Sequence, residues 1–575
     1  MSNSEAWLVD KILNYSLFDS TNSIKLRETR YVYDNLDFNQ EPIKGSLTYQ
    51  ENTLTNGENQ IIRFSYNTTT GNLANETNPN NQTTHYIYHV RDATDTYIDK
   101  IINTKWQIIN YHYDLGTGNL LSESDSNNFA KNYSYDMLGR ISNETSQYDN
   151  EEFPTTIYEY DFNETAPQKV KISRREINLT TNTLDEYKFY DGFGRVIQTK
   201  REASPSIQIL TDIYYNNQSQ IEKQTNSYYS TATEEYISPQ QTIGATKYTY
   251  DQLNRITKIT NPDATEKNIT YNSWNITIYD ENGNKKDYES SAFGKIIRVK
   301  EHNSTTTFKT KYFYDSTDTL NSIIDAKNNT INYTYDSLGR KTSLSDPDLG
   351  TWNYTYDNAG NVIQQIDNKN QNITIIYDEL NRKIKEITNN ENRTYTYDLR
   401  LNNTLSGIIT DNVIINYSYD NRLRKTEENT TIDTITFTTL LTYDSLDRET
   451  TKILPDKTTI TNAYNTQGLL NSTTEIKIIF YNENNQILNI IYNNNLITNY
   501  SYLSSNFRLI NILTDQSNNL QNLNYSYDNV GNVKEIKDIA NNKLYSMAYD
   551  ELDRLAYTHI EDNTNGNNTL NYTYN

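Results

Sequence analysis

Tyr-Asp pairs recur through this chain at a nearly constant spacing, and that regularity limits the fold more than any other feature. From Asp315 to Asp444 the aspartates of successive pairs are separated by 21, 21, 21, 20, 22 and 24 residues. A period in this range is typical of proteins built from one repeated structural unit. In such arrays each unit buries its apolar face against its neighbours, so 575 residues need not divide into several separately cored domains.

The best-formed units share one pattern, read as Tyr333-Thr-Tyr-Asp-Ser-Leu-Gly-Arg340 and Tyr354-Thr-Tyr-Asp-Asn-Ala-Gly-Asn361. Two tyrosines separated by one residue point to the same face of a strand, where they can stack across neighbouring strands. The following Asp can accept backbone N–H groups of a turn. Gly suits a position with φ above zero, and Asn or Asp replaces it in residues 248–255, 377–382, 443–448 and 549–554. The pattern predicts a left-handed turn.

A second turn is predicted about ten residues after the first, where Pro-Asp or Asn-Asn follows an alternating strand. Examples are Asn261-Pro-Asp263, Asp346-Pro-Asp-Leu-Gly350, Leu454-Pro-Asp-Lys457, Ala326-Lys-Asn-Asn329 and Ala540-Asn-Asn-Lys543. Each repeat is therefore expected to be an antiparallel hairpin of two strands that leads into the next hairpin. The fold class predicted is all-β, with antiparallel hairpin repeats of about 21 residues.

The array is expected to cover residues 31–575 behind an N-terminal lead-in at residues 1–30. The period is clearest at 311–450, recognisable at 111–195 and 525–554, and degenerate at 45–105, 200–245 and 465–520. Tyr215-Asn216, Tyr464-Asn465 and Tyr481-Asn482 are interpreted as degenerate Tyr-Asp pairs. The degenerate stretches keep the composition, so no change of domain and no linker is predicted. The last residues, 571–575, restart the motif and stop in mid-repeat.

Composition agrees with a thin, strand-rich structure and excludes several functions. The chain has 51 Tyr against 14 Phe and 4 Trp, and its hydrophobic share is 35%, so a solid core of Leu, Val and Phe is not expected. A net charge of −22 argues against nucleic acid and acidic membrane surfaces as partners, and a basic cargo remains compatible. Cysteine is absent, which excludes disulfides and thiolate metal sites. No secretory signal or membrane-spanning stretch is readable, so no membrane insertion is expected.

These residues resemble the Rhs/YD-repeat family, which includes polymorphic-toxin carriers, the C component of insecticidal toxin complexes and teneurins. The segment Asp346-Pro-Asp-Leu-Gly-Thr-Trp-Asn-Tyr-Thr-Tyr-Asp-Asn-Ala-Gly-Asn-Val362 is similar to a near-ideal family repeat. The resemblance implies a β-strip that spirals into a hollow, tyrosine-lined shell, here expected to be open-ended. It also implies an extracellular or cell-surface location.

Family shells commonly enclose a toxic C-terminal domain that an aspartyl autoproteolytic segment releases, with a Pro-x4-Asp-Pro-x-Gly-Leu type signature. This sequence lacks that signature. Asp346-Pro347 and Asn261-Pro262 are its nearest Asx-Pro pairs, and each lies in an ordinary repeat turn. Neither autoproteolysis nor toxin activity is therefore carried over to any residue.

The histidines form the one constellation that could suggest a metal. His85 and His89 lie four residues apart, on one face if the segment is a strand, with His112 further along. No third ligand is identified, so ordinary strand residues are favoured and no metal or cofactor is predicted. The recurring Asp residues are interpreted as turn caps, because an active site needs one constellation and not an equivalent in every repeat. No catalytic residue is predicted.

Three functions are compatible with these observations. The leading hypothesis is a non-enzymatic shell or scaffold that encloses or displays a toxin or effector cargo, or a neighbouring toxin domain. The alternative is a cell-surface adhesion or carbohydrate-binding array, in which some exposed tyrosine rings bind a surface glycan. The second alternative is the remnant of a polymorphic toxin without its C-terminal effector. The sequence does not specify an oligomeric state.

Overall fold

The structure, a computed structural model, describes residues 8, 10–18, 25–53, 59–88, 94–162, 165–515, 520–562 and 566–574. Within them there is no α-helix, and consequently none that could cross a membrane. The all-β class and the hairpin repeat predicted from the Tyr-Asp spacing are confirmed. His89 lies outside the described residues.

The strands follow one another with short turns between them. The first eleven are β1 (Asn14–Phe18), β2 (Lys25–Tyr33), β3 (Leu47–Thr53), β4 (Asn59–Tyr66), β5 (Leu73–Thr77), β6 (Thr83–Ile87), β7 (Lys100–Ile102), β8 (Ile108–Tyr113), β9 (Leu120–Ser124), β10 (Ala130–Tyr135) and β11 (Ile141–Ser146). The next fourteen are β12 (Thr156–Asp161), β13 (Gln168–Arg175), β14 (Thr183–Tyr190), β15 (Val196–Ser204), β16 (Ile207–Tyr215), β17 (Ile221–Thr225), β18 (Tyr228–Thr231), β19 (Ala245–Tyr250), β20 (Ile256–Thr260), β21 (Glu266–Asn272), β22 (Asn275–Tyr279), β23 (Lys285–Ser290), β24 (Ile296–His302) and β25 (Thr307–Tyr314).

The remaining strands repeat the same alternation of strand and turn. Twelve of them are β26 (Leu320–Ile324), β27 (Thr330–Tyr335), β28 (Lys341–Asp346), β29 (Gly350–Tyr356), β30 (Val362–Ile366), β31 (Asn372–Tyr377), β32 (Lys383–Ile387), β33 (Asn392–Tyr397), β34 (Leu405–Ile409), β35 (Val413–Tyr419), β36 (Lys425–Ile432) and β37 (Ile435–Tyr443). The last are β38 (Glu449–Ile453), β39 (Thr459–Thr461), β40 (Ala463–Tyr464), β41 (Leu470–Ser472), β42 (Ile476–Tyr481), β43 (Ile487–Tyr492), β44 (Ile497–Tyr502), β45 (Leu509–Thr514), β46 (Gln521–Tyr527), β47 (Val533–Asp538), β48 (Lys543–Tyr549), β49 (Leu555–Asp562) and β50 (Asn568–Asn571).

Antiparallel pairing of successive strands is the rule, and a bulge accompanies the turn that follows the Tyr-x-Tyr strand. Thr334 pairs with Ser343, but Tyr335 pairs with Lys341, so one residue of β28 is left over. A left-handed residue beside such an irregularity is typical of a turn closed by a G1 bulge. The same shift occurs at Tyr135, Tyr250, Tyr356, Tyr377, Tyr397, Tyr419, Tyr502, Tyr527 and Tyr549.

Pairing departs from the rule in the degenerate stretch 200–245. β16 pairs with β17 near its C-terminal end and with β18 near its N-terminal end, and β17 pairs with β19. Residues 226–244 are therefore an excursion that adds β18 beside β16. Side chains under this excursion are among the most buried of the chain, including Phe189, Ile209 and Leu210.

The chain divides into two compact units, each made of two distant segments. The first unit combines Met1–Glu151 with Tyr312–Leu441, and the second combines Glu152–Lys311 with Thr442–Asn575. We call the earlier segment of each unit the leading segment and the later one the trailing segment. Because strands alternate in direction, turns lie at two opposite margins of the sheet. The Tyr-Asp margin carries turns such as those at Asp136, Asp251 and Asp336, and the return margin carries the turns between them.

In the first unit, turns of the trailing Tyr-Asp margin contact the leading return margin. Arg27 Nε donates to the Ser337 carbonyl over 2.8 Å, and Ser337 Oγ donates to the Thr53 carbonyl over 3.0 Å. Lys105 Nζ lies 3.0 Å from Asp378 Oδ2. Two further contacts of this kind join Asn80 to Asp357 and Asn127 to Asn402. The segments of this unit are therefore joined through polar groups of their turns.

The second unit is joined in the same way. Arg448 Nη2 lies 3.2 Å from Glu176 Oε1, and Asn506 Nδ2 donates to Asp263 Oδ2 over 2.7 Å. Further contacts join Ala203 to Thr466, Arg201 to Asn485, Asn226 to Ser505 and Asn282 to Asp528. In both units, these contacts pair a trailing Tyr-Asp turn with the leading return margin.

Candidate functional site

The aspartates of most Tyr-Asp pairs cap their own turns, as the sequence predicted. Asp336 Oδ1 accepts the N–H groups of Leu338 and Arg340 over 2.9 and 3.0 Å, and its Oδ2 accepts Arg340 Nε over 2.6 Å. The predicted positive φ is also confirmed, since Gly339 has φ of 78°. Asn254, Asn381, Asp447 and Asp553, which replace this glycine, have φ of 65°, 58°, 63° and 59°.

The three degenerate pairs keep this turn with an amide in place of the carboxylate. Asn216 Oδ1 accepts the N–H groups of Gln218 and Gln220, and Asn465 and Asn482 act in the same way. The interpretation of these pairs as degenerate Tyr-Asp units is therefore confirmed. Because an amide serves here, the turn requires an acceptor oxygen and not a negative charge.

A hydrogen bond from the strand-ending tyrosine to the first residue of the paired strand before it recurs in the structure and was not predicted. Tyr335 donates its phenol O–H to the Leu320 carbonyl over 2.9 Å, and Tyr377 donates to the Val362 carbonyl over 3.0 Å. The ring of the strand-ending tyrosine also contacts, in several repeats, the guanidinium of an arginine from the turn before it. Arg340 lies 4.7 Å from the centre of the Tyr356 ring, and Arg382 lies 4.4 Å from the Tyr397 ring. Each such arginine thus links its own Asp to the next repeat.

Asp378 shows how firmly these carboxylates are held. Burial alone raises its pKa, but Arg382, the N–H groups of the turn and Lys105 together lower the pKa from the ordinary value of 3.8 to about 2. A carboxylate with that set of partners remains ionised at neutral pH. The geometry at Asp378 is that of a turn cap joined to a cation of the other segment.

His85 lies on β6 and contacts the uncharged side chains of Asn75 and Trp106. Its Nδ1 lies 2.6 Å from Asn75 Oδ1, and its ring stacks on Trp106 with 5.7 Å between ring centres. His112 lies on β8. In the part of the chain that the structure describes, no group of three or more His, Asp or Glu side chains is placed to hold a metal ion.

A groove of about 690 Å³ runs beside His85 in the leading segment of the first unit. Cross-strand pairing places Tyr49, Arg63 and Thr77 in a row across β3, β4 and β5. The loop between β2 and β3 adds Phe38, whose ring lies 5.3 Å from the Arg30 guanidinium. Trp106 stands beside the groove with 73% of its surface exposed. The groove thus combines aromatic rings with amide, hydroxyl and guanidinium groups.

A buried polar cluster lies under the 226–244 excursion in the second unit. Asp212 is fully buried and accepts hydrogen bonds from Gln198 Nε2 and Tyr228 O–H, over 2.6 and 2.7 Å. Burial raises the pKa of Asp212 and lowers the pKa of Lys200, the latter to about 8. Lys200 Nζ donates to the Thr233 and Glu235 carbonyls.

The excursion is held down by several further contacts. Gln198 donates to the Ile237 carbonyl over 2.8 Å and accepts the Ile237 N–H over 3.2 Å. Glu234 Oε1 accepts Lys171 Nζ and the Tyr187 O–H over 3.0 and 3.2 Å, and Tyr236 meets Phe189 edge to face. These residues lack the Tyr-Asp spacing, so the repeat pattern held no signal for them. The polar groups of the cluster are occupied by the chain's own atoms.

Comparison with known proteins places the fold. No protein-family model and no curated protein matches the sequence. Among solved structures, the TcdB2-TccC3 complex matches 96% of this chain with a TM-score of 0.86 and 17% identity. TcdB2-TccC3 without its hypervariable C-terminal region matches 96% with a TM-score of 0.85 and 16% identity. The Photorhabdus luminescens Tc holotoxin pore, with a substitution in TccC3, matches 93% with a TM-score of 0.80 and 15% identity.

These similarities cover almost the whole chain and identify its fold. The chain has the fold that its resemblance to the Rhs/YD-repeat family predicted, and it shares this fold with the TcdB2-TccC3 complex. The chain spans a little over a third of the solved chains that it matches, 37% of the first and 39% of the second.

Proposed function

We propose that this chain is a non-enzymatic YD-repeat scaffold that encloses or displays a toxin or effector polypeptide. The observation that carries the proposal is the likeness in fold to the TcdB2-TccC3 complex over 96% of the chain. The repeated aspartates and arginines support a structural role, because they are engaged with each other and with their own turns. The net charge of −22 favours a basic cargo.

Enclosure can be measured with a thiol probe, since the chain itself has no cysteine. A basic reporter polypeptide with a single cysteine is fused after Asn575, and its modification by a large polyethylene-glycol maleimide is followed with and without denaturant. We expect slow modification of the folded fusion and fast modification once it is unfolded. The reporter alone, on the same linker, is the control for accessibility.

The cargo proposal fails if the reporter in the folded fusion reacts as fast as the free reporter and is digested by protease at the same rate. An acidic reporter of the same length tests the role of charge, and we expect it to be protected less. Electron microscopy of the fusion supplies a second readout, because a solid particle without a cavity contradicts enclosure.

A second candidate function is carbohydrate binding, which the groove beside His85 favours. Sugars present apolar faces that stack on aromatic rings and hydroxyl edges that bind polar groups, and an exposed Trp beside Arg, Asn and His offers both. Phe38, Tyr49 and Trp106 supply the rings, and Arg63 and Asn75 supply donors.

A glycan array probed with the folded full chain tests this candidate. Trp106→Ala and Phe38→Ala are expected to abolish binding. Trp274→Ala is the matched control, because Trp274 is also an exposed tryptophan of a turn but belongs to the second unit, whereas Trp106 stacks on His85 of the groove in the first. Binding at background level for the wild-type chain, or equal loss with Trp274→Ala, contradicts the candidate.

A further inference from the structure

One side-chain position is covered in some turns and exposed in others, although the turns have the same sequence pattern. This is the apolar residue two positions after the turn aspartate. In trailing segments it is half-buried, as at Leu338, Leu380 and Leu446. In leading segments, Leu138 is 78% exposed, Phe193 83% and Leu253 71%. The turn itself cannot explain the difference.

The covered turns are the ones that meet another segment. The turns of Leu338 and Leu380 lie against Arg27 and Lys105 of the leading return margin, and the turn of Leu446 lies against Glu176. Each covered turn therefore has a return margin as its neighbour. The exposed turns lie on the leading Tyr-Asp margins. Where several of them occur in one unit, these apolar side chains stand at spaced turns in a row along that margin.

In the second unit this row consists of Phe193, Leu253 and Phe293, the last with 83% of its surface exposed and in a turn that has Ser291 in place of the aspartate. The turn at Asp191 is built like the covered ones, since Asp191 Oδ1 accepts the N–H groups of Phe193 and Arg195. The row is thus a preformed copy of a surface that is used as an interface elsewhere in the same unit. By analogy with the covered turns, the surface that would bind this row is a return margin.

The second unit also presents such a margin. Residues 455–459, 474–475, 493–495 and 541–542, at the trailing return margin, are exposed. They are short polar turns, like the turns of the leading return margin at Asp263 and Asn282 that bind Asn506 and Asp528. One molecule therefore carries both halves of an interface of known type.

We propose that the leading Tyr-Asp margin of the second unit, at Phe193, Leu253 and Phe293, binds the trailing return margin of a second copy of this chain. Because the two surfaces are different, the contact is head-to-tail. Each time a copy binds, the assembly still has one free Tyr-Asp margin and one free return margin. Assembly then continues into a ring or a filament. Burial of the three apolar side chains supplies the driving force.

Sedimentation velocity of the full chain from about 1 to about 100 µM, the usual range for such association, tests the proposal. We expect the average mass of the wild type to rise with concentration. The triple variant Phe193→Ser, Leu253→Ser, Phe293→Ser is expected to raise the concentration needed by at least about tenfold. Phe480→Ser is the matched control, because Phe480 is an exposed phenylalanine on the face of β42 and not at a margin.

Mixing variants distinguishes a head-to-tail contact from a symmetric one. A return-margin variant, Asn494→Glu with Asn541→Glu, is expected to assemble as weakly on its own as the triple variant does. Mixed together they should form heterodimers and nothing larger, because each supplies one intact surface. A wild type that stays monomeric throughout overturns the proposal, and so does a return-margin variant that assembles like the wild type.

Discussion

The phenol of Tyr356 donates a hydrogen bond to the carbonyl of Lys341, 2.7 Å away. Tyr356 ends β29, and Lys341 begins the strand before it, so the bond closes the hairpin beside the turn. The same relation, with distances of 2.7 to 3.0 Å, recurs at Tyr135, Tyr215, Tyr250, Tyr271, Tyr397, Tyr419, Tyr464, Tyr502 and Tyr549. It gives the final tyrosine of the strand a role that phenylalanine cannot fill.

Tyr356→Phe is therefore expected to destabilise its hairpin by about 1 kcal/mol, the usual net contribution of one such hydrogen bond. Native-state hydrogen exchange of the amides in β28 and β29 measures the loss locally. Tyr354→Phe is the control, because this first ring of the pair packs beside Lys341 Nζ and keeps its contact without the O–H. Equal effects of the two substitutions contradict the proposed role.

Leu423 occupies the left-handed position of the Asp420 turn, with φ of 62°, where most equivalent turns have Gly, Asn or Asp. A branched side chain is disfavoured there by about 1 kcal/mol. Leu423→Gly and Leu423→Asn are expected to stabilise the chain by roughly that amount, seen as slower exchange of the β35 and β36 amides. Leu423→Ala, which keeps the backbone strain, is expected to bring no such gain.

Asp378→Asn is expected to destabilise the first unit by about 2 kcal/mol at pH 7, because the pKa of Asp378 is held at about 2, below its ordinary value of 3.8. The ionised carboxylate contributes this stability above about pH 4, and the contribution is lost as pH falls toward 2. Unfolding midpoints of wild type and variant should converge over that interval. Asp136→Asn serves as the control, since its turn has Arg140 but no lysine from another segment, and a smaller effect is expected.

Lys200 predicts a pH dependence of the same sign at high pH. Its pKa is lowered to about 8 from 10.5, so the folded state binds fewer protons than the unfolded state between these values. Stability contributed by this site therefore rises as pH rises from about 8 to 10.5. Relative to Lys200→Met, the wild type is expected to gain about 2 kcal/mol over this interval. Gln198→Met, which loosens the same excursion without removing a titrating group, should show a difference from the wild type that does not change with pH.

Local structure in this chain was predictable where a residue's role depends on its immediate neighbours. The Asp caps, the left-handed position after them and the second turns follow from short-range geometry, and the structure has them where the pattern indicated. Even Asn482, in a degenerate stretch, was recognisable because an amide oxygen replaces a carboxylate oxygen in the same turn.

Contacts between distant residues were not predictable in the same way. The Tyr356 hydrogen bond joins residues 15 positions apart on neighbouring strands, and periodicity alone does not show which carbonyl a phenol reaches. The cluster around Lys200 depends on β18 folding back onto β16, which a degenerate stretch does not announce. The groove beside His85 depends on register across β3 to β6, and the stacking of His85 on Trp106 brings together residues of two separate hairpins.

The bond between Arg27 and Ser337 joins residues that are 310 positions apart. At the usual rate of translation, the ribosome needs roughly 15 to 60 s to make the chain between them. During that time the leading segment of the first unit must persist without its partner, held by the bonds within and between neighbouring hairpins. Hairpins that are closed by Asp caps and tyrosine hydroxyls can form during this interval, because these contacts require no residue that has not yet been synthesised.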